Sequence, residues 1–127
     1  MDLNSKGRTI IEREMRVEET KLGELASAIG TETGAQTASL ALYFGPTIAG
    51  EKMLVERLGL DLSKALLGGQ SYAWERPFRA GETLRVRVSV EDVYEKGPMI
   101  FGIVAAEFRD ADGAVVQTQR TTFLERK

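Results

Sequence analysis

LRVRVSVEDVYEKGPMIFGIVAAEFRDADGAVVQTQRTTFL, residues 84–124, is the stretch that decides the fold. Leu84, Val86, Val88 and Val90 alternate with Arg85, Arg87, Ser89 and Glu91. A period of two puts the apolar set on one face of a half-buried strand and the charged set on the other. Lys96-Gly97-Pro98 turns the chain, and residues 99–109, MIFGIVAAEFR, return as a second strand. Asp110-Ala111-Asp112-Gly113 turns it again, because Asp-Gly tolerates positive φ. Residues 114–124 form the last strand. Strands joined by turns this short are antiparallel neighbours.

Upstream, residues 69–78, GQSYAWERPF, predict another strand with an edge-like end at Pro77, followed by a turn at Arg79-Ala80-Gly81-Glu82. Pro46 marks a helix start, where a missing N–H costs nothing. Ile48, Met53, Leu54, Val55 and Leu58 are apolar over the next three turns, and Gly59 ends the run. Such broad apolar coverage predicts a long, central, largely buried helix. Leu62 to Leu67 is expected to add a further turn. Residues 38–45, ASLALYFG, read either as a short helical turn or as buried extended chain. Leu22, Leu25, Ala26 and Ile29 form one stripe of an earlier helix, with Glu18 and Glu19 in its first turn and Gly30 at its end. Residues 9–17 suit a strand. The order predicts a single α+β domain over 1–127, a curved antiparallel sheet wrapped around a long central helix: the hot-dog layout.

Composition narrows the chemistry. The 127 residues are 43% hydrophobic and 28% charged, with a net charge of −2, so no basic field points to nucleic acid or an acidic membrane. Cysteine and histidine are both absent. Disulfides, thiolate metal sites and Ser–His or Cys–His nucleophile systems are thereby excluded, and transition-metal binding would rest on carboxylates alone. Nothing at the N-terminus resembles the apolar core of a signal peptide, and no apolar run approaches the ~20 residues of a membrane span. A cytoplasmic location is the expectation.

Residues 68–97, with "FRAGETL" at 78–84 and "VYEKG" at 93–97, and residues 107–126, EFRDADGAVVQTQRTTFLER, resemble the MaoC-like hydratase/dehydratase family. The similarity is to its N-terminal, FAS1-like dehydratase branch. Residues 7–30 resemble that branch's first strand and helix, and Gly45-Pro46-Thr47 the start of its central helix. The resemblance implies (R)-specific hydration of 2-enoyl thioesters, or the reverse, without a cofactor. In active members an Asp-x-Asn-Pro-x-His pattern follows the first helix, and its carboxylate and imidazole handle the water and the α-proton. Laid on "AIGTETGAQ", 28–36, the aspartate position falls on Thr31, the asparagine on Thr33, the proline on Gly34 and the histidine on Gln36. A threonine hydroxyl and a glutamine amide do not titrate near neutrality. The resemblance also supplies a use for such a chain: many hydratases of this branch are two unlike hot-dogs, only one carrying the acid–base pair.

The remaining candidates each have two readings. Glu32 is a solvated loop acid or a displaced base. Glu51 is an exposed helix acid or the carboxylate that hot-dog thioesterases place on this helix. Thr31, Thr33 and Gln36 cap a helix end or bond a thioester carbonyl or pantetheine amide. Gly45, Pro46 and Thr47 are an ordinary helix start or a polarising site for that carbonyl. Trp74, Tyr72 and Phe78 pack in the core or, for Trp74 and Phe78, line an acyl tunnel or dimer contact. Arg76, Arg79, Arg85 and Arg87 grip coenzyme A phosphates, or share a solvated face with Glu75, Glu82 and Glu91.

The expectation is therefore an accessory subunit that binds an acyl thioester, on coenzyme A or acyl carrier protein, beside a catalytic partner. The partner is a second hot-dog protein, in a homodimer or heterodimer joined along an unpaired sheet edge. A stand-alone homodimeric hydratase or thioesterase using Glu32 or Glu51, and a binding or scaffold protein without chemistry, are the alternatives.

Overall fold

The computed structural model describes residues 1–18 and 45–127. β1 (Thr9–Arg16) is followed by two short helices, α1 (Gly45–Ala49) and α2 (Glu51–Leu58). Then come β2 (Ala65–Trp74), β3 (Thr83–Lys96), β4 (Met99–Arg109) and β5 (Val115–Arg126). The strands form one five-stranded sheet in the order β1-β3-β4-β5-β2. All four pairings are antiparallel.

β3, β4 and β5 are the sheet's centre, and their sequence dictates it. Leu84, Val86, Val88 and Val90 are each at most 1% exposed, while Arg85 and Arg87 face outward. A bulge between Val90 and Asp92 shifts the register by one residue, which is why the buried position moves from Val90 to the odd-numbered Val93. Gly97 (φ 59°) and Gly113 (φ 84°) make the two turns, as their sequence context predicts. Asp110 Oδ1 accepts the amides of Asp112 and Ala114 at 3.0 Å each, holding the β4–β5 turn.

The expected long central helix is two short ones. Gly50 separates them with φ 83° and ψ 154°, a conformation almost closed to residues with a Cβ. Its carbonyl still accepts the Leu54 amide (3.2 Å) and its amide donates to Pro46 O (2.9 Å), so the chain bends without losing those bonds. Nor is α2 buried all round. Leu54 and Leu58 are buried, but Val55 is 41% exposed and Glu51, Lys52, Glu56 and Arg57 face outward. Gly59 ends it in the left-handed conformation, as expected, its amide donating to Val55 O at 3.1 Å.

The expected helical turn over Leu62–Leu67 is a turn only at 62–64, and β2 begins at Ala65, four residues before the strand that the sequence predicts. Leu66 and Leu67 are 64% and 58% exposed, so no apolar contrast marked the start of the strand. The expected helix within 19–30 and the apolar stretch 38–44 lie outside the described residues.

The turn before β3 is tied by charge. Arg76 Nη1 and Nη2 donate to the two Glu82 carboxylate oxygens at 2.9 and 2.7 Å, and the Arg79 amide also donates to Glu82. Arg76 lies 3.7 Å from Asp110, linking this turn to the β4–β5 turn. Burial alone would push the Glu82 carboxyl up. The Arg76 guanidinium and the Arg79 amide outweigh it and hold the carboxyl below the ordinary value of 4.5. A depressed carboxylate stabilises the fold above its unfolded-state value and loses that contribution as pH falls through its folded value.

Two outcomes follow. Gly50→Ala is expected to lower stability by about 1–3 kcal/mol in urea unfolding. A gain of about 1 kcal/mol, the ordinary helix preference of alanine over glycine, would mean that one helix runs through residue 50. Glu82→Gln is expected to cost about 1–3 kcal/mol at pH 7 and to flatten the acid limb of the stability curve below the ordinary glutamate range. An acid limb of unchanged slope would remove Glu82 from the pH dependence.

Candidate functional site

The inward face of the sheet is two surfaces side by side. On β3 and β4 it is apolar: Leu84, Val86, Val88, Val104, Ala106 and Phe108 are all buried. On β5 the inward positions are Gln117, Gln119 and Thr121, each 1% exposed or less. Opposite them on β2 stand Trp74, Tyr72 and Gln70, paired with Gln117, Gln119 and Thr121 respectively.

α1 is seated where these surfaces meet. A Cβ built on Gly45 would lie 2.7 Å from Ala106 Cβ, so only glycine allows the helix start to approach β4 this closely. The Gly45 amide donates to Gln119 Oε1 at 2.8 Å, a bond buried from solvent. Gln119 Oε1 also accepts Gln70 Nε2 at 3.3 Å, Gln119 Nε2 donates to Gln117 Oε1 at 2.7 Å, and Thr121 Oγ1 donates to Gln70 Oε1. The polar floor is thus one connected network anchored on the helix start.

Outside that anchor, Pro46, Thr47 and Glu51 line a groove of about 330 Å³ together with Leu54, Leu60 and Phe123. Its size is at the lower end of the roughly 300–1,000 Å³ usual for small-molecule sites. Thr47 also borders a second groove of about 400 Å³, with Arg13, Met15, Arg16 and Ile48. Its side chain is exposed and borders both.

The structure therefore brings together four of the expected site residues. Pro46, Thr47 and Glu51 share the groove at the bend between α1 and α2, while Gly45 opens α1 with its amide already engaged by Gln119. Trp74 lies at the other end of the polar floor. Its ring meets Phe78 edge-on at 4.9 Å, and Phe78 meets Phe108 at 5.5 Å. Phe78 is buried in the core and Trp74 is half-buried against it. Thr31, Glu32, Thr33 and Gln36 lie outside the described residues.

The arginines sit among acids. Besides Arg76 with Glu82, Arg85 pairs with Glu12 at 2.9 Å and Arg87 donates to Thr9 Oγ1 at 3.2 Å. Arg87 also borders an outer-face depression shared with Glu91, Glu107 and Arg120, in which Arg120 bonds Glu91. This is the interleaved, solvated face. Among the described residues no three carboxylates converge as a metal group.

The sequence reading missed the polar floor. Its signal was present in "QTQRT", 117–121, where Gln117, Gln119 and Thr121 fall on one face. Thr118 and Arg120 are polar as well, so the period of two offered no contrast by which to recognise the buried side.

The model of the FAS1-like dehydratase domain region matches residues 6–119. A UPF0336 protein of Saccharopolyspora erythraea is 37% identical over 70 residues, 55% of this chain and 45% of its own length. A UPF0336 protein of Streptomyces avermitilis is 30% identical over 122 residues, 84% of this chain and 81% of its own. The chain thus spans under half of the first relative and most of the second. Among solved structures, the HadBC (3R-hydroxyacyl-ACP dehydratase) complex of Mycobacterium tuberculosis superposes with TM-score 0.64 at 18% identity, covering 98% of each chain. The MaoC-like dehydratase of Rhodospirillum rubrum does so with TM-score 0.61 at 18% identity, covering 96% of this chain and 92% of that one. At these identities the likeness is one of fold.

Gln119→Leu is expected to leave the Gly45 amide buried without an acceptor and to cost about 1–3 kcal/mol in chemical unfolding. A neutral result would mean that the helix start is held by packing against Ala106 alone.

Proposed function

Because the chain belongs to the FAS1-like dehydratase domain region family, we propose that it is a non-catalytic or accessory subunit of an (R)-specific 2-enoyl-thioester hydratase/dehydratase. In this role it binds the acyl chain beside a catalytic partner. The observation that carries the reading is the lack of any histidine in the 127 residues, with Thr31 and Gln36 where the family's aspartate and histidine fall. A positioned acid or base typically contributes about 10²–10⁴-fold. Without the pair, what remains is a fold, a groove and a surface for a partner.

The two sheet edges differ in a way that supports the partner. β1, TIIEREMR, carries Glu12, Arg13, Glu14 and Arg16, charges of the kind that discourage edge pairing. β2, ALLGGQSYAW, has ten residues with no charge and no proline. Leu66, Leu67 and Tyr72 on it are exposed. Among the described residues β2 is thus an uncharged edge, and one of this length is a template for another strand. A second hot-dog protein pairing along β2 would extend the sheet and set the polar floor beside the partner's own inward face. HadBC, a complex by its name, is a precedent within the same fold.

Glu51 supports a second reading, a stand-alone hydratase or thioesterase. It is the carboxylate in the groove beside Pro46 and Thr47, and Glu32 is the other candidate base. A third reading, acyl-thioester binding or scaffolding without chemistry, shares the groove and lacks the catalytic partner.

The purified chain is expected to leave the enoyl-thioester absorbance of short and medium enoyl-CoA unchanged, and to gain activity when mixed with a hot-dog partner carrying the aspartate and histidine. Clear hydration by the chain alone, abolished by Glu51→Gln or Glu32→Gln, would replace this reading with the second. Binding of acyl-CoA without turnover under any pairing would replace it with the third. Association along β2 has its own check: Leu67→Lys with Tyr72→Lys is expected to reduce the oligomer to a monomer in light scattering while the circular dichroism spectrum is kept. An oligomer that survives both changes would move the interface elsewhere.

A further inference from the structure

The polar floor ends on two donors that bond to nothing among the described residues. Gln117 Nε2 and Trp74 Nε1 are both buried and without a hydrogen-bond partner. Gln117 as a residue is 1% exposed. The two project from directly opposed positions, since Trp74 and Gln117 are register partners on β2 and β5.

The network decides that the orphan is a donor. A backbone N–H can only donate, so the Gly45 amide fixes Gln119 with its oxygen toward α1. Gln119 must then present its NH₂ to the next residue, and Gln117 must meet it with Oε1. Gln117 is left with its own NH₂ pointing away from the network. Turning either amide over would set donor against donor. The terminal group is therefore an NH₂, and the indole beside it is an N–H. Both seek an acceptor.

Their surroundings are aromatic. Phe108 is the register partner of Gln117 on β4, and Phe78 touches both the Trp74 and Phe108 rings. In so apolar a corner a matched hydrogen bond is strengthened and an unmatched donor is costly. Trp74 is half-buried, which keeps the corner close to the rim of the sheet.

We propose that the Trp74–Gln117 corner binds a neutral carbonyl oxygen carried on the acyl chain, so that the thioester received here is an oxo-substituted one and not a plain alkyl one. The inference rests on the reading of the chain as an acyl-thioester binder and specifies the acyl group. Neutral donors select a neutral acceptor, because burying a carboxylate would require a cation to offset its desolvation. An apolar group in that corner would leave both donors unsatisfied, and sites that lose a hydrogen bond in this way discriminate strongly.

Trp74 is the single tryptophan, so its emission reports the corner directly. The probes are hexanoyl-CoA, its oxo derivatives with the carbonyl at the third, fourth or fifth carbon, and succinyl-CoA, titrated into the purified chain. One oxo isomer is expected to bind at least about tenfold tighter than hexanoyl-CoA and to red-shift the Trp74 emission, with succinyl-CoA weaker than that isomer. Gln117→Leu is expected to bring the ratio of oxo-isomer to hexanoyl-CoA affinity down to about one. Should that variant fail to fold, the wild-type series and the emission shift still decide. Equal binding across the series with a constant emission spectrum would overturn the inference and leave the thioester reading standing; the two donors would then serve a buried water. No binding of any of these thioesters, hexanoyl-CoA included, would remove the thioester reading and the inference with it.

Discussion

The amide of Gly45 donates to Gln119 Oε1, and the inward side of the molecule is organised from that bond. It requires a glycine, because any Cβ there would collide with Ala106. It requires a buried acceptor on β5, because the amide lies where water does not reach. Once the acceptor is a glutamine, its NH₂ must be satisfied too, and a second glutamine follows at Gln117. The seat of the helix and the polarity of the sheet are thus one constraint. An apolar β5 would leave the helix start with an unpaired N–H.

Much of the fold was legible, for stated physical reasons. β3, β4 and β5 alternate in burial and are joined by glycine turns, and both signals act over a few residues. β4 is found at residues 99–109, where the sequence puts it. The central helix differs from its sequence pattern because apolar content reports burial and not the course of the backbone. Ile48, Met53, Leu54, Val55 and Leu58 suggest one buried rod, yet a single glycine at position 50 divides it. Propensity treats Gly50 as a modest cost within a helix. Only the close seat of α1 against β4, a tertiary matter, makes the bend worthwhile. β2 was placed late because an edge strand exposed on both faces shows no contrast between them.

The candidate site was legible in part. Gly45, Pro46, Thr47 and Glu51 could be picked out because a helix start and its first carboxylate are local features. That Pro46, Thr47 and Glu51 share a groove with Leu60 and Phe123, which come from a loop and from β5, is a long-range fact. The glutamine network was invisible for a deeper reason. Glutamine is usually a surface residue, and in "QTQRT" every neighbour is polar as well. Burial of Gln117 and Gln119 follows from the strand order β4-β5-β2, which places β5 inside the sheet. No local pattern encodes that order.

The asymmetry of the inward face bears on what the molecule is for. Two neighbouring strands bury valine, leucine and phenylalanine, which contribute stability in proportion to apolar area. The next buries two amides and a hydroxyl, whose hydrogen bonds largely replace those made to water and so contribute little net. Replacing one of them alone by an apolar residue would orphan its partner, since Gln117 accepts from Gln119 and Thr121 donates to Gln70. Gln119 serves Gly45. Gln117 in turn serves Gln119, so both amides follow from the helix seat, and what is left over is the pair of donors at the end, which bond to nothing within the described residues. Two neutral donors left over at the end of a buried network, beside an uncharged sheet edge, call for an acceptor that the sheet itself does not supply.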